Sequence, residues 1–307
     1  MIFGESRLKD VYRMLVWGPY RLALRATPAG TELAVNRALG DVACRLLPAR
    51  RAELRARMAE VLGERPDLDA DVQRAFKVHF ANQYVGFTFP KMRAENFGHI
   101  LTLTGVEHLD EALSKHKGAV LAHAHMAVPQ LPLHVLGLCG YDVHQVGGGK
   151  TAAPLSLMGR RAAAIRARLE HDIEATLHDG RAYLRPVLRA LLTNAVVFTA
   201  CDGTGGGEEY GRRVALPVLG RSMHLPPFPA WLAARTGAAL LPLSIRSTHD
   251  GVPYRAVIGA PLPCPDVDTG LRGLAAFLDA ELRASPGDWH FWDAFHPGPG
   301  GLVADGV

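Results

Sequence analysis

Two histidines separated by one residue are the first candidates for chemistry in this chain. His123 and His125 come directly after the apolar residues 118–122, and a short run of this kind is typical of a buried strand. In an α/β fold, the carboxyl end of a strand is a common place for functional side chains. Three interpretations are open at this point. The histidines are structural or solvated, they form an H-x-H metal pair, or one of them is a general base.

A glycine-rich segment forms the second candidate. It spans residues 202–213, begins with Asp202 and follows a second apolar stretch at 195–200. Glycines such as Gly205 and Gly206 allow backbone N–H groups to approach a substrate carbonyl or phosphate closely, where they are candidate oxyanion donors. Arg212 and Arg213 at its end are candidates to meet a donor phosphate. The alternative is a flexible loop whose charges face solvent.

The third candidate is Lys150, which follows three consecutive glycines. The segment lacks the G-x-x-x-x-G-K spacing of a P-loop. Lys150 is therefore a candidate anion-binding residue that would act as a point charge. A plain turn is the alternative.

The composition limits the classes of protein that can hold these candidates. The chain has 307 residues, is 48% hydrophobic and 21% charged, and carries a net charge of +4. These values are typical of a globular protein, and so small a positive charge does not indicate a nucleic-acid partner. It is compatible with a phospholipid surface, coenzyme A or an acidic carrier protein. The four cysteines form no C-x-x-C pair, so we expect neither a disulfide framework nor a cysteine-built zinc site.

The same sequence predicts where the protein works. The first residues carry both charge signs, without the apolar stretch and cleavage site of a signal peptide. No run of about 20 residues is apolar enough to span a bilayer. We therefore expect a cytoplasmic protein. Residues 7–26 mix apolar and basic side chains at helical spacing with a break at Pro19. This helix either faces the core with a solvated basic side or lies on an anionic membrane surface.

The order of elements predicts an α/β fold. Residues 1–97 are mainly helical and are expected to pack on the remainder. Residues 98–296 alternate strands and helices, which indicates a mixed central sheet flanked by helices on both faces. One long helix is predicted over residues 153–177. The glycine- and proline-rich tail, residues 297–307, is expected to be loose.

Several blocks resemble one known family. Residues 118–130, GAVLAHAHMAVPQ, resemble the catalytic block of the bacterial lipid A late acyltransferases and of the wider lysophospholipid acyltransferase superfamily. In that block an apolar strand leads to a histidine, four residues and an acid. Residues 103–118, 195–220, 232–246 and 289–292 are similar to the other blocks of the family in the same order. The resemblance covers roughly residues 20–295.

The resemblance implies a fold and an activity. The fold would be lysophospholipid acyltransferase-like, and the reaction would move a fatty acyl group from an acyl carrier protein or coenzyme A thioester to a hydroxyl or amine. His125 would be the general base and Asp202 a residue of the active-site wall. His123 would contact substrate. No metal and no tightly bound cofactor is implied.

The sequence departs from the family at the acid, because Gln130 stands in its place. Gln130 would orient the imidazole through its carbonyl oxygen but brings no negative charge. Three compensations are open: a carboxylate from elsewhere, such as Asp202, Glu208 or Glu209; an amine acceptor, which demands less of the base; or the loss of catalysis.

Two rival functions follow. One is an acyl-, lipid- or carrier-binding protein on the same fold, and the other is a metal hydrolase using His123, His125 and Asp202.

Overall fold

The structure is a computed structural model that describes residues 7–147, 155–180, 184–203, 211–248, 251–298 and 301–304. Lys150, Gly205 and Gly206, together with Glu208 and Glu209, lie outside the described residues. Within these ranges the α-helices are α1 Arg7–Leu15, α2 Arg21–Arg25, α3 Thr31–Leu46, α4 Pro48–Leu62, α5 Leu68–Gln83, α6 Val106–Ser114, α7 Gln130–Leu138, α8 Leu157–Glu170, α9 Arg185–Leu192, α10 Phe228–Thr236 and α11 Val267–Ala284. The strands are β1 Leu101–Thr104, β2 Ala119–His123, β3 Val143–Val146, β4 Thr176–His178, β5 Val196–Ala200, β6 Val214–Val218, β7 Arg221–Leu225, β8 Ala239–Ser247 and β9 Tyr254–Ile258.

A seven-stranded mixed sheet forms the centre of the protein. Its strand order is β1-β9-β8-β2-β5-β3-β4. All neighbouring pairs are parallel except β8 and β9, which are antiparallel. Strands β6 and β7 form a separate two-stranded hairpin. The predicted fold class, a mixed sheet with flanking helices, is confirmed.

Strand β2 lies inside the sheet and packs on both faces. Val120 and Ala122 belong to one hydrophobic cluster, which also contains residues of α9, α10 and α11. Ala119 and Leu121 belong to the other, with residues of α6 and α7. Alternate side chains of a strand point to opposite faces, so a strand covered on both sides is apolar throughout. This explains the unbroken apolar run before His123.

The N-terminal helices contribute directly to the core beside the site. Met58 of α4 and Phe76 of α5 are buried in the same cluster as Val120 and Trp289. The break predicted at Pro19 is a π-helix, Val16–Tyr20, in which Gly18 leaves the helical conformation. The helical character expected for this portion is confirmed.

Two expectations need correction. The helix predicted over residues 153–177 is shorter: Ser156 caps α8 by accepting the Gly159 N–H at 2.9 Å, and α8 ends at Glu170. Thr176–His178 is instead the edge strand β4, because pairing with β3 outweighs the local helical pattern. In the tail, the described residues 301–304 also pack against the protein, where a loose segment was expected. Leu302 is buried, and the Ala304 N–H donates to the Ser222 carbonyl at 2.7 Å.

No helix in the part of the chain that the structure describes is both long and apolar enough to cross a membrane.

Candidate active site

The register of two neighbouring strands brings His125 and Asp202 together. His123 at the end of β2 is paired with Ala200 at the end of β5, and the strands are parallel. His125 and Asp202 each lie two residues beyond these ends. Because the carboxyl ends of parallel strands meet at one edge of the sheet, equal offsets place the two side chains side by side. The His125 Nδ1 atom lies 2.8 Å from Asp202 Oδ1.

The Asp202 carboxylate is fully buried and receives three hydrogen bonds. The His125 ring donates to Oδ1, while Oδ2 accepts the backbone N–H of His125 at 2.8 Å and the indole N–H of Trp289 at 3.0 Å. Burial by itself would raise the pKa of Asp202, but His125 and these donors together hold it below its ordinary value. The carboxylate therefore stays ionised at neutral pH.

The His125 ring is held at one nitrogen and available at the other. Since the ionised Asp202 only accepts, Nδ1 must carry the proton. Nε2 has no hydrogen-bond partner among the described residues, and the side chain is 33% exposed. One face of the ring packs against Phe291, with centroids 4.5 Å apart. This arrangement presents a nitrogen lone pair to a substrate, which is the requirement for a general base.

His123 lies beneath this pair and is almost inaccessible to solvent. Its Nδ1–H donates to the Ala124 carbonyl at 3.0 Å, and its ring packs at a tilt of 31° against the Phe198 ring, with centroids 4.3 Å apart. Burial, with a smaller effect of His125, lowers the pKa of His123 to about 4. His123 is therefore a neutral side chain that supports the site. The sequence predicted that His123 contacts substrate, but its side chain is buried and exposes almost no surface for such a contact.

Gln130 does not meet His125. It is the first residue of α7, and its side chain makes no hydrogen bond to any described residue. The predicted orienting contact is absent because Asp202 occupies the Nδ1 side of the ring. Of the compensations open to the sequence, a carboxylate from another strand is the one that the structure contains.

The two arginines after the glycine-rich segment differ in position. Arg212 is exposed, whereas Arg213 is half-buried. The Arg213 guanidinium lies beside Gly203, where a Cβ atom would be 3.2 Å from its Nη2. A positive charge thus stands next to the residue that follows Asp202.

A metal hydrolase would need a set of ligand side chains that converge on the ion. In the described residues, no three His, Cys, Asp or Glu side chains converge as metal ligands. The Nδ1 atoms of His123 and His125 both donate to oxygen acceptors. Within the part of the chain that the structure describes, which leaves out Glu208 and Glu209, the metal-hydrolase alternative therefore has no ligand set.

Trp289 is the contact that sequence reasoning missed. In the sequence, residues 289–292 are only one of the blocks similar to the family, with no partner in the site. The signal available was weak, because an indole donor 87 residues from Asp202 gives no local pattern.

The fold and this histidine–aspartate pair define an acyltransferase-like α/β protein. The model of the bacterial lipid A biosynthesis acyltransferases matches residues 11–295, and the chain belongs to that family. It is 28% identical over 246 residues to a phosphatidylinositol mannoside acyltransferase of Mycolicibacterium smegmatis, an alignment that covers 78% of this chain and 77% of that protein. A protein of the same name from Mycobacterium tuberculosis is 28% identical over 281 residues, covering 88% and 84% of the two chains. The protein is thus an acyltransferase, as the sequence predicted.

Proposed function

We propose that this acyltransferase moves a fatty acyl group from an acyl carrier protein or coenzyme A thioester to a hydroxyl group, with His125 as general base. The observation that carries the proposal is the 2.8 Å contact between His125 Nδ1 and the buried Asp202 carboxylate. It fixes the tautomer in which Nε2 accepts a proton. It also provides a negative charge to stabilise the imidazolium that forms, the role of the aspartate in a Ser-His-Asp triad.

In the proposed reaction, His125 acts first as a base and then as an acid. His125 Nε2 takes the proton of the acceptor hydroxyl as its oxygen attacks the thioester carbonyl carbon. The tetrahedral intermediate collapses, the C–S bond breaks, and an ester and a thiolate remain. The imidazolium returns the proton to the thiolate sulfur, so the enzyme is regenerated. The reaction as written requires no metal ion and no redox cofactor.

We further propose that the acceptor is a sugar hydroxyl of an anionic glycophospholipid. The two mycobacterial relatives are named for acylation of phosphatidylinositol mannoside. The site itself supports a hydroxyl rather than an amine acceptor. A base supported by a buried carboxylate can activate an alcohol, so no acceptor with a depressed pKa is needed.

A transfer assay tests this function. The purified full-length chain is incubated with labelled palmitoyl-coenzyme A or palmitoyl-acyl carrier protein and with phosphatidylinositol mannoside, and the products are identified by mass spectrometry. We expect a new ester on the sugar. A thioester that binds but is never consumed would overturn the proposal in favour of an acyl-binding protein.

The substitution Gln130→Glu restores the acid of the family motif and is expected to change kcat by less than about threefold. His125 Nδ1 already donates to Asp202, so a second carboxylate has no vacant donor to accept from. Steady-state kinetics of the transfer reaction measure the effect. A rise of tenfold or more would show that Asp202 does not serve as the acid.

We also propose that the protein docks on an anionic membrane surface through α1, α2 and α8. Helix α8 lies beside α1, since the hydroxyl of Ser156, the N-cap of α8, donates to Asp10 of α1 at 2.6 Å. The apolar side chains exposed here are Val11 48%, Met14 55%, Leu15 52%, Leu22 55% and Leu157 67%. The exposed basic residues of these helices are Arg7, Arg25, Arg160, Arg161, Arg166 and Arg168. Exposed apolar and basic side chains together are typical of an interfacial surface.

The substitution Leu15→Glu is expected to weaken binding to phosphatidylglycerol-containing vesicles about tenfold, because it removes an apolar contact and adds a repelled charge. Vesicle flotation measures the bound fraction. Leu192→Glu is the matched control, since Leu192 is 71% exposed but lies on α9. Equal binding of both variants, or equal binding to phosphatidylcholine vesicles, would contradict the proposal.

A further inference from the structure

We propose that Trp289 is a positioning residue, whose indole N–H holds the Asp202 carboxylate in the orientation that supports His125. This inference rests on the proposed role of His125 as the base. It assigns to a residue near the C-terminus a function in a site built from β2 and β5. The aromatic side chain would otherwise be only part of the core.

The three donors around Asp202 define the orientation of its carboxylate. Oδ1 accepts the His125 ring, and Oδ2 accepts the His125 backbone N–H and the Trp289 indole. Both donors from His125 belong to one residue of the loop between β2 and α7, residues 124–129, called the β2 loop below. Trp289 is the donor that comes from a different segment and thereby fixes the carboxylate relative to that loop. Without it, Oδ2 keeps one donor, and the carboxylate can turn about its Cβ–Cγ bond.

The backbone of Asp288 and His290 is hydrogen-bonded directly to the loop that carries His125. The Ala127 N–H donates to the Asp288 carbonyl at 2.8 Å, and the His290 N–H donates to the His125 carbonyl at 3.1 Å. Met126 and Trp289 form an antiparallel bridge between these bonds. The indole is therefore held in register with His125 and does not depend on side-chain packing alone.

The His290 side chain adds a further bond to the same loop. Its Nε2–H donates to the Ala127 carbonyl at 2.7 Å. Burial lowers the pKa of His290 to about 4, so it is neutral at physiological pH. Ala127 has a φ of +48°, a conformation that a non-glycine residue adopts at a cost. Hydrogen bonds to both its N–H and its carbonyl hold it there.

Residues 288–290 are also hydrogen-bonded to the central sheet, through Asp288. The Asp288 carboxylate accepts the Ser247 N–H at 3.0 Å and the Ser285 hydroxyl at 2.8 Å. Ser247 is the last residue of β8, the neighbour of β2. The position of Trp289 is thus determined by β8 and by the β2 loop together. This double attachment makes the indole a fixed donor, as a preorganised site requires.

Trp292 provides a matched control within the same aromatic cluster. It is 2% exposed, as is Trp289, and the two rings are 5.2 Å apart. Its indole N–H donates to the Pro286 carbonyl at 2.8 Å. Replacing either tryptophan by phenylalanine removes a buried indole hydrogen bond and a similar volume. Of these two tryptophans, only Trp289 donates a hydrogen bond to Asp202.

The kinetic experiment compares Trp289→Phe with Trp292→Phe in the transfer assay. We expect kcat of Trp289→Phe to fall about 10- to 100-fold, the effect of one hydrogen bond to a charged group, with the KM for the thioester within threefold of wild type. Trp292→Phe should keep kcat within threefold of wild type while losing a similar amount of thermal stability. Equal losses of kcat in both variants would overturn the proposal.

A spectroscopic readout separates positioning from activity. In protein with ¹⁵N-labelled histidine, the His125 Nδ1 proton should give a downfield resonance that shifts or exchanges faster in Trp289→Phe and is unchanged in Trp292→Phe. If the His125 Nδ1 proton gives the same resonance in Trp289→Phe as in Trp292→Phe, Trp289 has no positioning role. If wild type consumes no thioester, the proposed function fails, and this comparison still decides the contact with Asp202.

A closer isostere covers the case in which Trp289→Phe does not fold. Benzothienylalanine incorporated at position 289 replaces the indole N–H by sulfur and leaves the ring shape nearly unchanged. We expect the same loss of kcat and the same change in the His125 resonance. Wild-type values in both measurements would show that the indole N–H has no positioning role.

Discussion

Replacing His125 by alanine is expected to lower kcat for acyl transfer by about 10³-fold or more. The variant removes the nitrogen that accepts the proton of the acceptor hydroxyl. General-base catalysis contributes about 10²- to 10⁴-fold, and the neighbouring His123 cannot replace the lost imidazole, since it is buried and donates to Ala124. Single-turnover kinetics with a saturating thioester measure the chemical step directly.

The control for this variant is the binding of the thioester itself. The His125 side chain is one-third exposed and packs mainly against Phe291, so the fold should survive its removal. We expect the dissociation constant for a non-hydrolysable thioester analogue to change less than about fivefold. Unchanged acyl transfer in His125→Ala would exclude His125 as the base.

The second large effect is expected for Asp202→Asn, which should lower kcat about 10³- to 10⁴-fold, the scale known for this change in a Ser-His-Asp triad. The amide oxygen would keep its place against the His125 N–H and the Trp289 indole. The amide NH₂ would then face the ring and donate to Nδ1. The imidazole must move its proton to Nε2, so it can no longer accept one from the hydroxyl. The pH-independent kcat reports this loss.

Stability offers an independent check on Asp202. Its pKa in the folded protein lies below the ordinary value, so ionisation stabilises the fold at neutral pH, and this contribution is lost as the pH falls through the folded-state pKa. Asparagine has no such dependence. We therefore expect the difference in Tm between wild type and Asp202→Asn to be largest near pH 7 and to shrink under acidic conditions.

Glu281→Gln is the matched control for a buried carboxylate. Glu281 lies on α11, where its oxygens accept the Ser244 hydroxyl at 2.6 Å and the Arg246 guanidinium at 2.7 Å. It has no bond to His125 or Asp202. We expect a loss of stability with kcat nearly unchanged. A comparable loss of kcat in Glu281→Gln would mean that the effect at Asp202 is one of folding.

The strands on either side of the site were predictable from local sequence, and His125 stood out there as a candidate base. A strand buried on both faces is apolar at nearly every position. Residues 118–122 show this throughout, and residues 195–200 show it at every position except Thr199. The position of His125 just past the first run indicated a base, and the ordered blocks indicated the family that the comparison confirmed. The edge strand β4 was missed because three residues give little periodicity, and their pairing with β3 is not local.

The acid partner was beyond the reach of local spacing. Counting along the chain from His125 leads to Gln130, yet that residue begins α7, and the hydrogen bond of the ring goes to Asp202 instead. The structure supplies Asp202 instead because β5 is the neighbour of β2 and is paired with it in a register that aligns His123 with Ala200. The indole of Trp289 reaches the Asp202 carboxylate because the backbone of Trp289 pairs with that of Met126.

The sequence by itself thus determined the class of fold and the family and singled out His125 as the candidate base, since each depends on residues that are close along the chain. The tertiary structure decided which carboxylate supports that histidine and which indole holds the carboxylate. Both choices depend on which strands are neighbours and on their register, a property of long-range pairing that no short spacing encodes.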